Sequence, residues 1–136
     1  MLARYGQSWI LFAVISAVGW GVWGFVSAKA SKGTSPIALW ATVVVIEGII
    51  ALPVFIKYRP VLSTFAVLSA ISGAAGYLFF FFALRDGRAP AVVAITATYP
   101  LITLVLNILV NGYRPHLREV AGVVVAVGAI YLLSSG

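Results

Sequence analysis

One carboxylic acid, Glu47, lies in the middle of a long apolar run from Ile37 to Ile56, and no other side chain in this sequence is better placed to do chemistry. At about 1.5 Å of rise per residue, a helix over this run puts the carboxyl group near the centre of a bilayer. A charge at that depth costs roughly 2.5–3.5 kcal/mol, so such groups usually serve proton transfer or cation binding. The alternative is a structural role, in which a protonated Glu47 donates a hydrogen bond to a neighbouring helix.

Aromatic and polar side chains on the other apolar segments are candidates to line a cavity with Glu47. Tryptophans share one sector of the first helix, and Thr, Tyr and Asn recur at helical spacing on the fourth. Aromatic faces beside one carboxyl group suit an organic cation. The alternative is that Trp9 belongs to the interfacial belt and the Thr and Asn side chains only join helices. The candidate substrate-binding residues are Glu47, Trp20, Trp23, Trp40, Tyr99, Thr103 and Asn107.

The composition indicates a polytopic membrane protein, because 62% of the residues are apolar and only 9% are charged. Soluble domains are nearer about 25% charged. Cysteine is absent and His116 is the single histidine, so we predict no disulfide, metal site or cofactor. The net charge of +6 comes from basic residues between apolar segments, which favours lipid headgroups over nucleic acid as partners. The first seven residues lead directly into a full-length span, so no separate signal peptide is expected.

The predicted fold is all-α, with five transmembrane helices joined by short loops. Pro and Gly in short polar clusters separate the apolar stretches, and no loop is long enough for a soluble domain. We therefore predict one five-helix domain over 1–136. Its spans are 8–28, 37–56, 61–84, 89–111 and 117–133.

The basic residues are almost evenly divided between the two sides of the membrane. Positive charge in short loops orients membrane proteins, so a near balance predicts dual topology, with copies inserted in both directions. The alternative is a weak preference that still gives a single orientation. One side has Arg4, Lys57, Arg59, Arg114 and Arg118, and the other has Lys29, Lys32, Arg85 and Arg88.

Part of the third segment resembles the signature of EamA domains, which belong to the drug/metabolite transporter superfamily. Residues 76–87 read Gly-Tyr-Leu-Phe-Phe-Phe-Phe-Ala-Leu-Arg-Asp-Gly, similar to the family pattern Gly-x-x-x-aromatic-x-x-Ala-Leu-x-x-Gly. Two positions depart from that family. Tyr113 stands where the family usually has Glu, and apolar residues at 43–45 stand where it often has Arg. Other points of resemblance are Trp20-Gly21, Tyr99-Pro100, Gly112, Gly122 and Gly128.

The resemblance implies a secondary transporter with an incomplete set of helices. Full-length members resemble two inverted five-helix halves, in which four helices line the cavity and the fifth braces the assembly. A chain of one half implies an antiparallel homodimer or pairing with a paralogous half. We predict alternating access for a small organic, cationic solute, with proton coupling at Glu47, in the inner or plasma membrane of a prokaryote. The alternative is a non-transporting helical subunit that scaffolds a larger complex; an enzyme has little support.

Overall fold

The computed structural model describes residues 8–135, and this part of the chain is built from helices. Five segments in it are long and apolar enough to cross a membrane, and α4 and α5 together form one of them. The predicted all-α fold with five spans is therefore confirmed. The helices are α1 (Ser8–Ala30), α2 (Pro36–Lys57), α3 (Thr64–Asp86), α4 (Ala89–Thr96), α5 (Tyr99–Asn111) and α6 (Leu117–Ser134).

Proline, serine and glycine set the helix ends. Pro36 opens α2, where its missing N–H costs no hydrogen bond. The third helix begins at Thr64, three residues later than predicted, because the Ser63 hydroxyl accepts the Ala66 N–H at 3.2 Å and so caps the first turn. Gly112 ends α5 in the left-handed region at φ 63°, which a glycine adopts without strain.

The fourth span is interrupted, which the sequence pattern did not predict. A turn at Ala97 and Thr98 separates α4 from α5. There the Thr98 N–H donates to the Ile95 carbonyl at 3.1 Å and the Leu101 N–H donates to the Thr98 carbonyl at 2.9 Å. Both bonds span three residues instead of four. The cause is Pro100, which has no N–H to donate to the carbonyl four residues before it.

The chain divides into two compact units, Met1–Arg85 and Asp86–Gly136. The buried large apolar side chains of the first unit lie in the second half of α3, where Phe81 is fully buried and Leu84 is 5% exposed. Trp23 of α1 stacks on Phe80 with ring centroids 5.0 Å apart and also contacts the rings of Tyr77 and Phe81. These aromatic contacts hold α1 against α3.

Replacing Trp23 with Ala should loosen this aromatic cluster. Each ring pair contributes about 0.5–1.5 kcal/mol, so we expect the free energy of unfolding to fall by roughly 2 kcal/mol. Thermal unfolding in detergent measures the loss. Trp9→Ala is the matched control, because Trp9 lies on the same helix and is 64% exposed. Equal destabilisation by the two variants would show that the Trp23 contacts add nothing specific.

In the second unit, α4 packs against α6. Val92 and Ala94 of α4 are each 7% exposed. The N-terminus of α6 is closed by Glu119, whose carboxylate accepts the His116 N–H at 2.9 Å. This bond is one half of a capping box, and it fixes the course of the chain where it enters α6.

Large apolar side chains cover most of the remaining surface. Ile56 is 80% exposed, and Phe65 and Leu117 are each 84% exposed. Near the ends of the helices, basic side chains lie over aromatic rings: Lys29 Nζ is 4.7 Å from the centre of the Phe25 ring. Apolar surface of this extent, with basic groups at the helix ends, matches a chain surrounded by lipid.

Candidate functional site

The seven predicted site residues are distributed over both units. The first unit contains Trp20 and Trp23 on α1, and Trp40 and Glu47 on α2. The second contains Tyr99, Thr103 and Asn107, all on α5.

Glu47 is exposed on the surface of α2. Trp40 lies seven residues earlier, close to two helical turns, and therefore on nearly the same face. The Trp40 indole N–H donates to the Ala74 carbonyl of α3 at 3.2 Å, which ties this end of α2 to α3. Ile46 and Ile50 beside Glu47 are 49% and 70% exposed. The carboxyl group therefore opens from an apolar surface that lipid, solute or another chain must cover.

Trp20 and Trp23, the two predicted site residues of α1, differ in their surroundings. Trp23 is half-buried among the rings of α3 and takes part in packing. Trp20 is 61% exposed. Of the two, Trp20 has the more exposed ring, and Trp23 packs the helix that carries it against α3.

The polar stripe predicted on the fourth span forms a ladder of hydrogen bonds along α5. The Thr103 hydroxyl donates to the Tyr99 carbonyl at 3.1 Å, and the Asn107 amide donates to the Thr103 carbonyl at 2.9 Å. Asn111 continues the ladder by donating to Asn107 Oδ1 at 2.9 Å. Each rung joins residues four apart, so the polar groups keep to one face of the helix.

A hollow of about 350 Å³ lies along this face, and we call it the α5 hollow. Thr103 and Asn107, two of the predicted residues, line it. Pro100 and Leu104 add apolar surface, and Tyr113 forms its remaining wall. The structure therefore groups part of the predicted polar stripe around one open depression.

Tyr113, which lines the hollow, and its hydrogen-bond partner Glu119 were not among the predicted site residues. Tyr113 Oη is 2.8 Å from both carboxylate oxygens of Glu119. The hydrogen bond to this carboxylate raises the pKa of the Tyr113 phenol above its ordinary value. The contact between Glu119 and the backbone of His116 could have been predicted, because these two residues have the spacing of a capping box. Nothing in the spacing indicated that the same carboxylate would reach Tyr113.

Replacing Pro100 with Ala should join α4 and α5 into one continuous helix. The new N–H at position 100 can donate to the Thr96 carbonyl, so hydrogen exchange at residues 97–101 should slow by about tenfold or more. Pro53→Ala is the control, because α2 continues through Pro53 without interruption. Unchanged exchange in Pro100→Ala would mean that the hydroxyl of Thr98, which donates to the Ile95 carbonyl at 2.7 Å, holds the turn instead.

Five apolar spans with short connections define a multi-pass integral membrane protein. The chain belongs to the EamA-like transporter family, whose sequence profile matches residues 7–135. This match confirms the resemblance drawn from residues 76–87. The chain is also 30% identical over 131 residues to an uncharacterized protein of Methanocaldococcus jannaschii, covering 92% of this chain and 95% of that relative. No solved structure matches the chain.

Proposed function

We propose that this protein is a small secondary transporter that moves a small organic solute across the membrane by alternating access. The observation that carries the proposal is the membership of the EamA-like transporter family over residues 7–135, in a chain whose second span has a carboxyl group at its centre. A cation is the favoured solute class, because a carboxylate and exposed aromatic rings both attract positive charge. The prokaryotic inner or plasma membrane is the proposed location.

Proton exchange at Glu47 is the proposed coupling step. Glu47 is proposed to carry the exchanged proton, because an unpaired charge at the centre of a span is costly and such carboxyl groups often serve proton transfer. A cationic solute that reaches the carboxyl group displaces the proton, which leaves to the opposite side. Trp20, Trp23, Trp40 and Tyr99 are the aromatic residues proposed to stack on the solute, and Thr103 and Asn107 are proposed to hydrogen-bond to it.

Two copies inserted in opposite directions are proposed to form the working unit. The nearly equal division of basic residues between the two sides supports this arrangement, because neither orientation is favoured. The exposure of Glu47 on a single chain supports it further, since a carboxyl group against lipid is costly and a second chain would cover it. A transporter of this kind needs two halves around a central site.

Vesicles that contain only this protein test the proposal. With an inside-acidic gradient and a pH-sensitive dye inside, addition of small organic cations should release protons from the vesicles. Protein-free vesicles give the background. Proton release above background would exclude the alternative of a non-transporting scaffold subunit and would exclude an obligatory paralogous partner. Background rates for every cation tested would contradict transport by this chain alone.

A further inference from the structure

The α5 hollow offers mainly hydrogen-bond acceptors, because most of the hydrogen atoms on its polar side chains are already engaged. A hydroxyl group has one hydrogen and two lone pairs. The Thr103 hydrogen points to the Tyr99 carbonyl, and one amide hydrogen of Asn107 points to the Thr103 carbonyl. The Tyr113 hydrogen is shared with the Glu119 carboxylate. The hydroxyl oxygens of Thr103 and Tyr113 are left with lone pairs for a solute.

A lining of this kind selects a solute that donates hydrogen bonds. An alkylammonium ion has three donors and no acceptor, so it matches the free lone pairs better than a carboxylate, which only accepts. Pro100 and Leu104 provide apolar contact for a short carbon chain. The volume of about 350 Å³ accommodates such a molecule.

Some charged groups near the hollow favour the binding of a cation and others oppose it. Glu119, whose carboxylate accepts the Tyr113 hydroxyl hydrogen, favours a cation, whereas Arg114 and Arg118 in the same part of the chain act against one. The α4 helix, which packs against α6, has no ionisable side chain, and Tyr99 is the only ionisable residue of α5. These charges are of opposite sign and salt weakens their effect. The selectivity is therefore assigned to the short-range hydrogen bonds in the hollow.

We propose that the α5 hollow is a binding site for a small alkylammonium ion, in which Tyr113 contacts the ion and Glu119 is a positioning residue that keeps the Tyr113 oxygen available as an acceptor. The inference rests on the proposed function, because it places an amine site on the stripe proposed to bind solute. It adds two residues, Tyr113 and Glu119, and one chemical class to that function.

Binding is measured without transport, by the NMR signal of ¹³Cζ-labelled tyrosine in the intact protein in lipid nanodiscs. Tyr113→Phe assigns the signal of Tyr113. Butylammonium should shift this signal saturably, whereas butanoate and butanol should not. An equal response to butanol would mean adventitious apolar binding and would overturn the proposal.

Three variants separate the roles. Thr103→Val should weaken butylammonium binding about tenfold or more, because it removes an acceptor for a charged donor. Thr42→Val is its control, since the Thr42 hydroxyl makes the same type of bond, to the Ala38 carbonyl at 2.9 Å, and Thr42 is not among the residues that line the hollow. Glu119→Gln should weaken binding similarly and lower the pKa of the Tyr113 phenol, measured by phenolate absorbance. Glu119→Asp should restore part of both effects.

The outcomes distinguish this site from the proposed function. Saturable butylammonium binding in a protein that transports no cation would support the site and contradict the transporter. Cation transport with an unchanged Tyr113 signal would support the transporter and overturn the site. Unaltered binding in Glu119→Gln, with the phenol pKa lowered, would overturn the positioning role of Glu119.

Discussion

Replacing Glu47 with Gln is expected to reduce proton-driven transport to the level of protein-free vesicles and to leave the fold intact. Gln has nearly the shape of a protonated Glu but cannot release a proton or carry a charge. A carrier that exchanges a proton for a cation at this position loses both steps in the variant. The measurement is solute-driven proton release over a range of pH, with thermal unfolding as the check on folding.

The control for Glu47→Gln introduces a glutamine at nearly the same membrane depth but on another face of α2. Ile49→Gln does so, because residue 49 is rotated by about 200° from residue 47 around the helix. It should retain pH-dependent transport. Normal transport by Glu47→Gln would mean that Glu47 has no proton role, and downhill efflux of a metabolite would then be the better mechanism.

Labelling of single cysteines on the two sides of the membrane should show both orientations in the same cells. The natural chain has no cysteine, so Ser35→Cys and His116→Cys each provide one unique thiol on opposite sides. With basic residues so evenly divided, we expect an impermeant reagent to reach about half of the molecules at each site. Complete labelling at one site and none at the other would mean a fixed orientation and would favour a paralogous partner or a scaffold role.

Variants with a forced orientation test whether both orientations are needed for function. Leu62→Lys with Lys32→Ser shifts positive charge to one side, and Arg59→Ser with Thr34→Lys and Ser35→Lys shifts it to the other. Each set alone should be inactive, and co-expression of the two should restore transport. Full activity of either set alone would contradict the antiparallel homodimer.

Local signals in the sequence were sufficient for the spans but not for the contacts between them. The length of each apolar run and the Pro and Gly residues around it predicted every span within three residues. Helical spacing also predicted that Thr103 and Asn107 share a face, because a four-residue repeat depends only on the helix itself. Bilayer thickness sets the length of an apolar run that can span the membrane, so the spans can be predicted from the sequence alone.

The other structural features could not be predicted, because they depend on residues far apart in the sequence or on local alternatives of similar energy. Trp23 was predicted to line a cavity together with Trp20, but its partners are 54 or more residues away on α3, and periodicity carries no information on them. Whether it also contacts a solute stays a prediction. Predicting the interruption before Tyr99 would have required knowing whether the helix is kinked or broken there, and the presence of Pro100 alone does not decide this. Tyr113 was noted only as a departure from the family pattern, since its bond to Glu119 depends on the turn that Gly112 makes.

The small number of buried side chains has a consequence for what stabilises the folded state of this protein. The apolar core of the described residues consists of Phe80, Phe81, Leu84, Val92 and Ala94. Because this core is small, most of the contacts that stabilise the folded state must come from the surrounding molecules, which are the lipid tails and any second chain. Stability then depends on the match between hydrocarbon depth and helix length. If two copies pair as proposed, stability also increases with the number of copies per unit area of membrane, by mass action.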